Sequence, residues 1–178
     1  MARRSKYDPT ILDARKTTYK GRLKHVDDWL IRSNDFTAKG APIQYLDVGC
    51  SPQKTDAPTT LETLEVFREH GIPVDITAVD KSFPHGFTGN DDIYYKTHDI
   101  VRKPIRGQFD IVRYVNVEEH LPPGHVPRVR AEIEANVAEG GFLIRTSAKD
   151  KSYEIYRRGL GGMELVKTLR NTKGKKTP

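Results

Sequence analysis

Residues 43–53 read Ile-Gln-Tyr-Leu-Asp-Val-Gly-Cys-Ser-Pro-Gln, and no other stretch limits the fold as much. An apolar run (Ile43, Tyr45, Leu46, Val48) stops abruptly at Gly49-Cys50-Ser51-Pro52, and a helical pattern follows. This predicts a buried strand that feeds a tight loop and then a helix N-terminus. In a doubly wound α/β sheet, that is where a nucleotide-like ligand is held. Asp47 stands just before the turn, and a second apolar run, 74–79, ends in Asp80. Acidic residues close both strands.

The rest of the chain alternates in the same way. Asp8-Pro9 reads as a helix start, with Leu12, Tyr19, Leu23, Val26 and Leu30 at helical spacing beyond it and Gly21 a candidate break. Thr59 and Glu62 form a capping-box pattern, Leu61, Leu64 and Phe67 give the packed face, and Gly71 with Pro73 ends that helix. No helical period runs through 81–92. Short apolar runs at 93–95, 109–117 and 142–146 read as strands, with a helix marked by Val126, Val129, Ile133 and Val137 before the last of them. Residues 153–160 fit either a short helix or an edge strand, and 163–169 a further strand. The expected fold is α/β, a three-layer Rossmann-like sheet of six or seven mostly parallel strands. An extra N-terminal helix and short connections after strands two and three complete it. Residues 1–42 form a basic arm and packed helix, 43–170 the main domain and 171–178 a basic tail.

At 178 residues the chain is one domain in size, with formal charge +6 and 30% charged residues. The basic balance suits a polyanionic partner or a merely solvated surface. Cys50 is the single cysteine, so an intramolecular disulfide is excluded, as is a thiolate zinc cluster. No apolar run reaches membrane-spanning length, and the expectation is a soluble, cytoplasmic-type protein.

In order along the chain, Leu46-Asp47-Val48-Gly49-Cys50-Ser51, Val79-Asp80, Phe109-Asp110-Ile111-Val112, Asn116-Val117-Glu118-Glu119-His120-Leu121 and Glu139-Gly140-Gly141-Phe142 resemble the motifs of class I S-adenosylmethionine-dependent methyltransferases. The resemblance covers about residues 45–146. It departs from the family in the first loop, which keeps only the first glycine of the usual Gly-x-Gly-x-Gly. A dinucleotide site would want several glycines and fits less well.

The resemblance implies S-adenosylmethionine as cofactor. Asp47 would orient its methionine end, with Gly49, Cys50 and Ser51 alongside. Asp80, with Lys81 beside it, would take the ribose, and Asp99 and Ile100 the adenine. Asn116 and Val117 would line the wall near the sulfonium.

Glu119 and His120 admit three roles: a metal site, a structural helix start, or a general base at His120. Related O-methyltransferases carry Glu-x-x-Glu-His here, but this chain has Asn116 in place of the first carboxylate. A 2′-O-methyltransferase tetrad would draw on Lys20 or Lys24, Arg145 and Glu154. Three acceptor readings follow: RNA or another polyanion on the basic surfaces, a small molecule under the N-terminal helix as a lid, or a donor-binding scaffold without turnover.

Overall fold

The computed structural model of the protein describes residues 20–170. The helix start at Asp8-Pro9 and the tail from 171 lie outside the described residues. Helix α1 (Lys24–Ser33) leads into β1 (Ile43–Val48), α2 (Pro58–Glu69), β2 (Val74–Asp80), β3 (Ile93–Thr97) and β4 (Phe109–Tyr114). Helix α3 (Val126–Ala135), β5 (Val137–Thr146), β6 (Tyr153–Gly159) and β7 (Gly162–Leu169) complete it. The sheet order is β3-β2-β1-β4-β5-β6-β7. Strands β1 to β5 pair in parallel, while β6 and β7 add antiparallel. The stretch 153–160 is therefore a strand as far as Gly159, its Tyr153 and Ile155 fully buried.

Strand parity sorts the core into two layers. Ile43, Tyr45, Ile76, Ala78 and Ile111 face α1 and α2, where Val26, Leu30 and Phe67 meet them. Leu46, Val48, Val79, Val112 and Leu143 face α3, through Val129 and Ile133. The described part of the N-terminal helix is thus a core element. The turn at Gly21 (φ 92°) precedes it. The connections after β2 and β3 carry no helix. Instead Phe83 and Phe87 meet Tyr95 edge to face, while Tyr94, on the other face, is 65% exposed. At Gly141 a Cβ would lie 2.7 Å from the Asp110 carbonyl oxygen, so only glycine lets β5 close on β4 there.

The Thr59–Glu62 capping box does not form. Helix α2 starts earlier, with Ala57 as N-cap and Pro58 in the first turn, and Glu62 accepts the Gly21 N–H at 2.7 Å instead.

A buried charge network sits between α1, α2 and the sheet. Arg113, 1% exposed, donates Nε to Asp47 Oδ1 at 2.9 Å and Nη2 to Oδ2, and Nη1 to Thr63 Oγ1 at 2.6 Å. Thr60 Oγ1 also donates to Asp47, and Thr63 Oγ1 donates to Asp27. One guanidinium therefore serves two carboxylates, and it pairs more closely with Asp47, since Asp27 lies 3.9 Å from Nη1. Burial lifts the Asp27 carboxyl to about 6, against the opposing pull of Arg113 and Thr63. A carboxyl raised in the folded state stabilises the fold while protonated, and that contribution is lost as pH climbs through about 6. Asp27→Asn should accordingly raise the thermal midpoint at neutral and mildly alkaline pH. The gain should vanish in acid buffer below the ordinary carboxylate range, as denaturation scans across that window would show.

Candidate functional site

The strand order reverses between β1 and β4, and the C-terminal ends of these strands open a crevice there. The loop after β1 forms one wall. Gly49 has φ 71°, and a Cβ on it would lie 2.7 Å from Val117 Cγ2, so the loop backbone sits directly against the segment after β4. The N–H groups of Gly49 and Cys50 both donate to the Val79 carbonyl, at 2.8 and 3.2 Å. The missing Cβ of Gly49 thus makes room for Val117, and the N–H groups of Gly49 and Cys50 are turned toward β2. Gly49→Ala should cost about 1–3 kcal/mol through its left-handed backbone and the Val117 clash. Val117→Ala in the same chain should restore part of that in urea denaturation, because it relieves the clash and leaves the backbone strain.

Asp80 forms the rim. Its Oδ2 accepts the Ser51 N–H at 3.1 Å and its Oδ1 the Ser82 N–H at 3.3 Å. Burial raises its pKa, and the backbone bonds from Ser51, Ser82 and Lys81 counter that. Ser51 (φ 53°) and Asn116 (φ 57°) both adopt left-handed backbone, uncommon away from glycine and frequent at functional loops. The Asn116 N–H donates to Thr146 Oγ1 at 3.0 Å, and Thr146 Oγ1 donates back to Asn116 Oδ1 at 2.9 Å. That exchange fixes the end of β4 to the end of β5. Gly49, Ser51, Asp80, Asn116 and Val117 therefore share one crevice.

The remaining predicted residues lie elsewhere or are occupied. Asp47 is 3% exposed and both its oxygens are held by Arg113 and Thr60, so its carboxylate faces the core between β1 and β4 rather than the crevice. Asp99 turns its carboxylate onto the Val101 N–H at 2.9 Å and pairs with Arg102, closing the turn after β3. Ile100 is buried on the α3 face, and Lys81 is exposed. Burial pushes the Cys50 thiol far up, consistent with packing and inconsistent with a nucleophile.

Glu119 and His120 belong to a short 3₁₀ turn, Glu118–His120. Glu119 pairs with Lys151 at 2.6 Å and His120 is half exposed. Among the described residues, no three of His, Cys, Asp and Glu gather in a group able to hold a metal ion. Arg145 and Glu154, candidates for a catalytic tetrad, bind each other at 3.0 Å and share Tyr156. No described helix is long and apolar enough to cross a membrane.

Sequence reasoning missed a cavity of about 300 Å³ that adjoins Asn116 and Val117, between β4, α3 and the loop after β5. Tyr114, Arg130, Thr146 and Lys151 line it together with Glu118 and Glu119. Their contribution comes from elements distant in sequence, and only the end of β4 gave a local signal.

No described protein family matches the chain, and no curated protein matches it by sequence. Solved structures do. Magnesium protoporphyrin IX methyltransferase from Synechocystis PCC 6803, crystallised with bound SAM, superposes with a TM-score of 0.51 at 11% identity, over 88% of this chain and 70% of that one. The chain has the class I methyltransferase fold. The 1,6-didemethyltoxoflavin-N1-methyltransferase of Burkholderia thailandensis, with 1,6-didemethyltoxoflavin and S-adenosylhomocysteine bound, also superposes with a TM-score of 0.51. Identity there is 17%, over 82% of this chain and 63% of that one, so the chain spans less than two thirds of that methyltransferase's length.

Proposed function

We propose that the chain is an S-adenosylmethionine-dependent methyltransferase acting on a small molecule. The observation that carries this reading is the grouping of Gly49, Ser51, Asp80, Asn116 and Val117 in the crevice where the strand order reverses. The residues fit the donor. The Asp80 carboxylate accepts backbone bonds from Ser51, Ser82 and Lys81 and keeps acceptor capacity for a ribose hydroxyl. Gly49 lets the loop after β1 close on Val117, and Asn116 with Val117 lines the opposite wall. Bound there, the donor supplies a methyl group already activated on a sulfonium. The chain's own work is positioning and exclusion of water. Asp47 acts indirectly, by joining β1 to β4 under the crevice through Arg113.

A small acceptor is favoured by the cavity next to Asn116, whose volume falls at the lower end for small-molecule sites. Several basic side chains are engaged within the protein, Arg145 with Glu154, Lys151 with Glu119 and Arg158 with the Glu134 carbonyl. Calorimetric titration with S-adenosylmethionine and S-adenosylhomocysteine, with NAD as control, tests the donor. Micromolar binding of the first two and none of NAD is expected. Failure of both to bind overturns the reading. Binding without turnover of any acceptor would mark a donor-binding scaffold.

A further inference from the structure

Asn116 holds a left-handed backbone without being glycine, its φ being 57°. It stands just past the end of β4, where the crevice meets the cavity of about 300 Å³. Such a conformation persists only where the surroundings over-determine it. One side chain on the neighbouring strand does so. Thr146, the last residue of β5, accepts the Asn116 backbone N–H at 3.0 Å and donates to Asn116 Oδ1 at 2.9 Å. Backbone and side chain of Asn116 are thus tied to a single hydroxyl.

The exchange also decides how the amide is turned. One lone pair of Thr146 Oγ1 takes the backbone N–H, and the hydroxyl proton has no acceptor other than Asn116 among the described residues. The carbonyl oxygen of the amide therefore faces the hydroxyl, since the reverse orientation leaves that proton unpaired. What remains is the amide nitrogen Nδ2, a donor of two hydrogen bonds with no partner among the described residues. Both Asn116 and Thr146 line the cavity.

From this exchange we infer that Thr146 is a positioning residue: it holds Asn116 so that the amide nitrogen donates a hydrogen bond to an oxygen of the ligand in the crevice. The role in donor binding rests on the methyltransferase reading above; the lock of Thr146 on Asn116 does not. Thr146 acts through Asn116, and Asn116 makes the contact.

Three variants separate the lock from the contact. Thr146→Val removes both bonds and keeps the side-chain shape, while Thr146→Ser keeps the hydroxyl. Asn116→Asp still accepts from Thr146 and tolerates left-handed backbone, but its side chain has no N–H to donate. Calorimetry gives the affinity for S-adenosylhomocysteine, NMR the hydrogen exchange of the Asn116 backbone amide, and urea denaturation the stability. Thr146→Val should weaken S-adenosylhomocysteine and speed the amide exchange, each by at least about 5-fold, the worth of one hydrogen bond. Thr146→Ser should restore both. Asn116→Asp should lose affinity to a similar extent with its backbone amide still protected. The same titrations with 5′-methylthioadenosine, which lacks the amino-acid arm, locate the oxygen. A loss shared by both ligands places it on the ribose, and a loss confined to S-adenosylhomocysteine places it on the carboxylate. Unchanged S-adenosylhomocysteine affinity in Thr146→Val or Asn116→Asp, or no recovery in Thr146→Ser, overturns the inference. A lowered urea midpoint with unchanged affinity does so as well, because it makes Thr146 a purely structural residue. Should S-adenosylhomocysteine not bind the unaltered protein, the methyltransferase reading fails and takes the positioning role with it, while amide exchange still judges the lock.

Discussion

Arg113→Met should lower folding stability by about 3–5 kcal/mol, the usual cost of leaving buried charge without its partner. The loss would show as a large fall in the urea midpoint. The guanidinium is the only cation reaching Asp47 and Asp27 in the hydrogen bonds and ion pairs of the described residues, and both carboxylates are fully enclosed between the sheet and helices α1 and α2. Removing the cation alone leaves two buried acids facing each other. Replacing all three together, Asp27→Val, Asp47→Val and Arg113→Met, should recover most of the loss, since apolar substitutes close to the originals in volume pack without a desolvation penalty. A triple variant as unstable as the single one would show that the network holds the fold by shape rather than by charge compensation.

Asp80→Ala should weaken S-adenosylmethionine binding by about 1.5–3 kcal/mol, the range for hydrogen bonds to a charged group. That is roughly 10- to 150-fold in Kd. The residue stands at the rim and bonds only backbone N–H groups of the adjoining loops, so the fold should survive the change. Asp80→Asn keeps an acceptor oxygen and loses the charge, and an intermediate affinity is expected. Unchanged donor affinity in a folded Asp80→Ala protein would remove the crevice at β1 and β4 as the donor site.

The parallel half of the sheet was legible because its signals are local. Apolar runs ending in Gly49 and Asp80 mark strands, and Gly71 with Pro73 marks a helix end, without knowledge of the neighbours; the run at 109–117 marks β4 too, though the strand stops at Tyr114. The role of Asp47 was harder to read. A carboxylate at a strand tip looks the same in sequence whether it faces a crevice or a core. Parity gave a partial clue, since Asp47 shares its face with Ile43 and Tyr45, and Arg113 shares that of Ile111. What the sequence lacks is the adjacency of β1 and β4, which turns a lone acid and a lone base into a pair. The Thr59–Glu62 pattern misled for the opposite reason: its spacing is right, but Pro58 starts the helix first and Glu62 is taken by Gly21. The cavity behind Asn116 draws on β4, α3 and the β5–β6 loop together, so no single segment announces it.

The seam between β1 and β4 also has a consequence in time. The Asp47–Arg113 link joins residues 66 apart in the chain, whereas β5, β6 and β7 meet through short turns. Closing the longer loop carries the greater entropic cost before any contact repays it, so the seam is a slow step of refolding. Because the crevice has no second wall until β4 docks, recovery of ligand affinity after dilution from denaturant should trail the recovery of strand signal. A chain cut before β4 would keep Asp80 and Gly49 and still hold nothing between them.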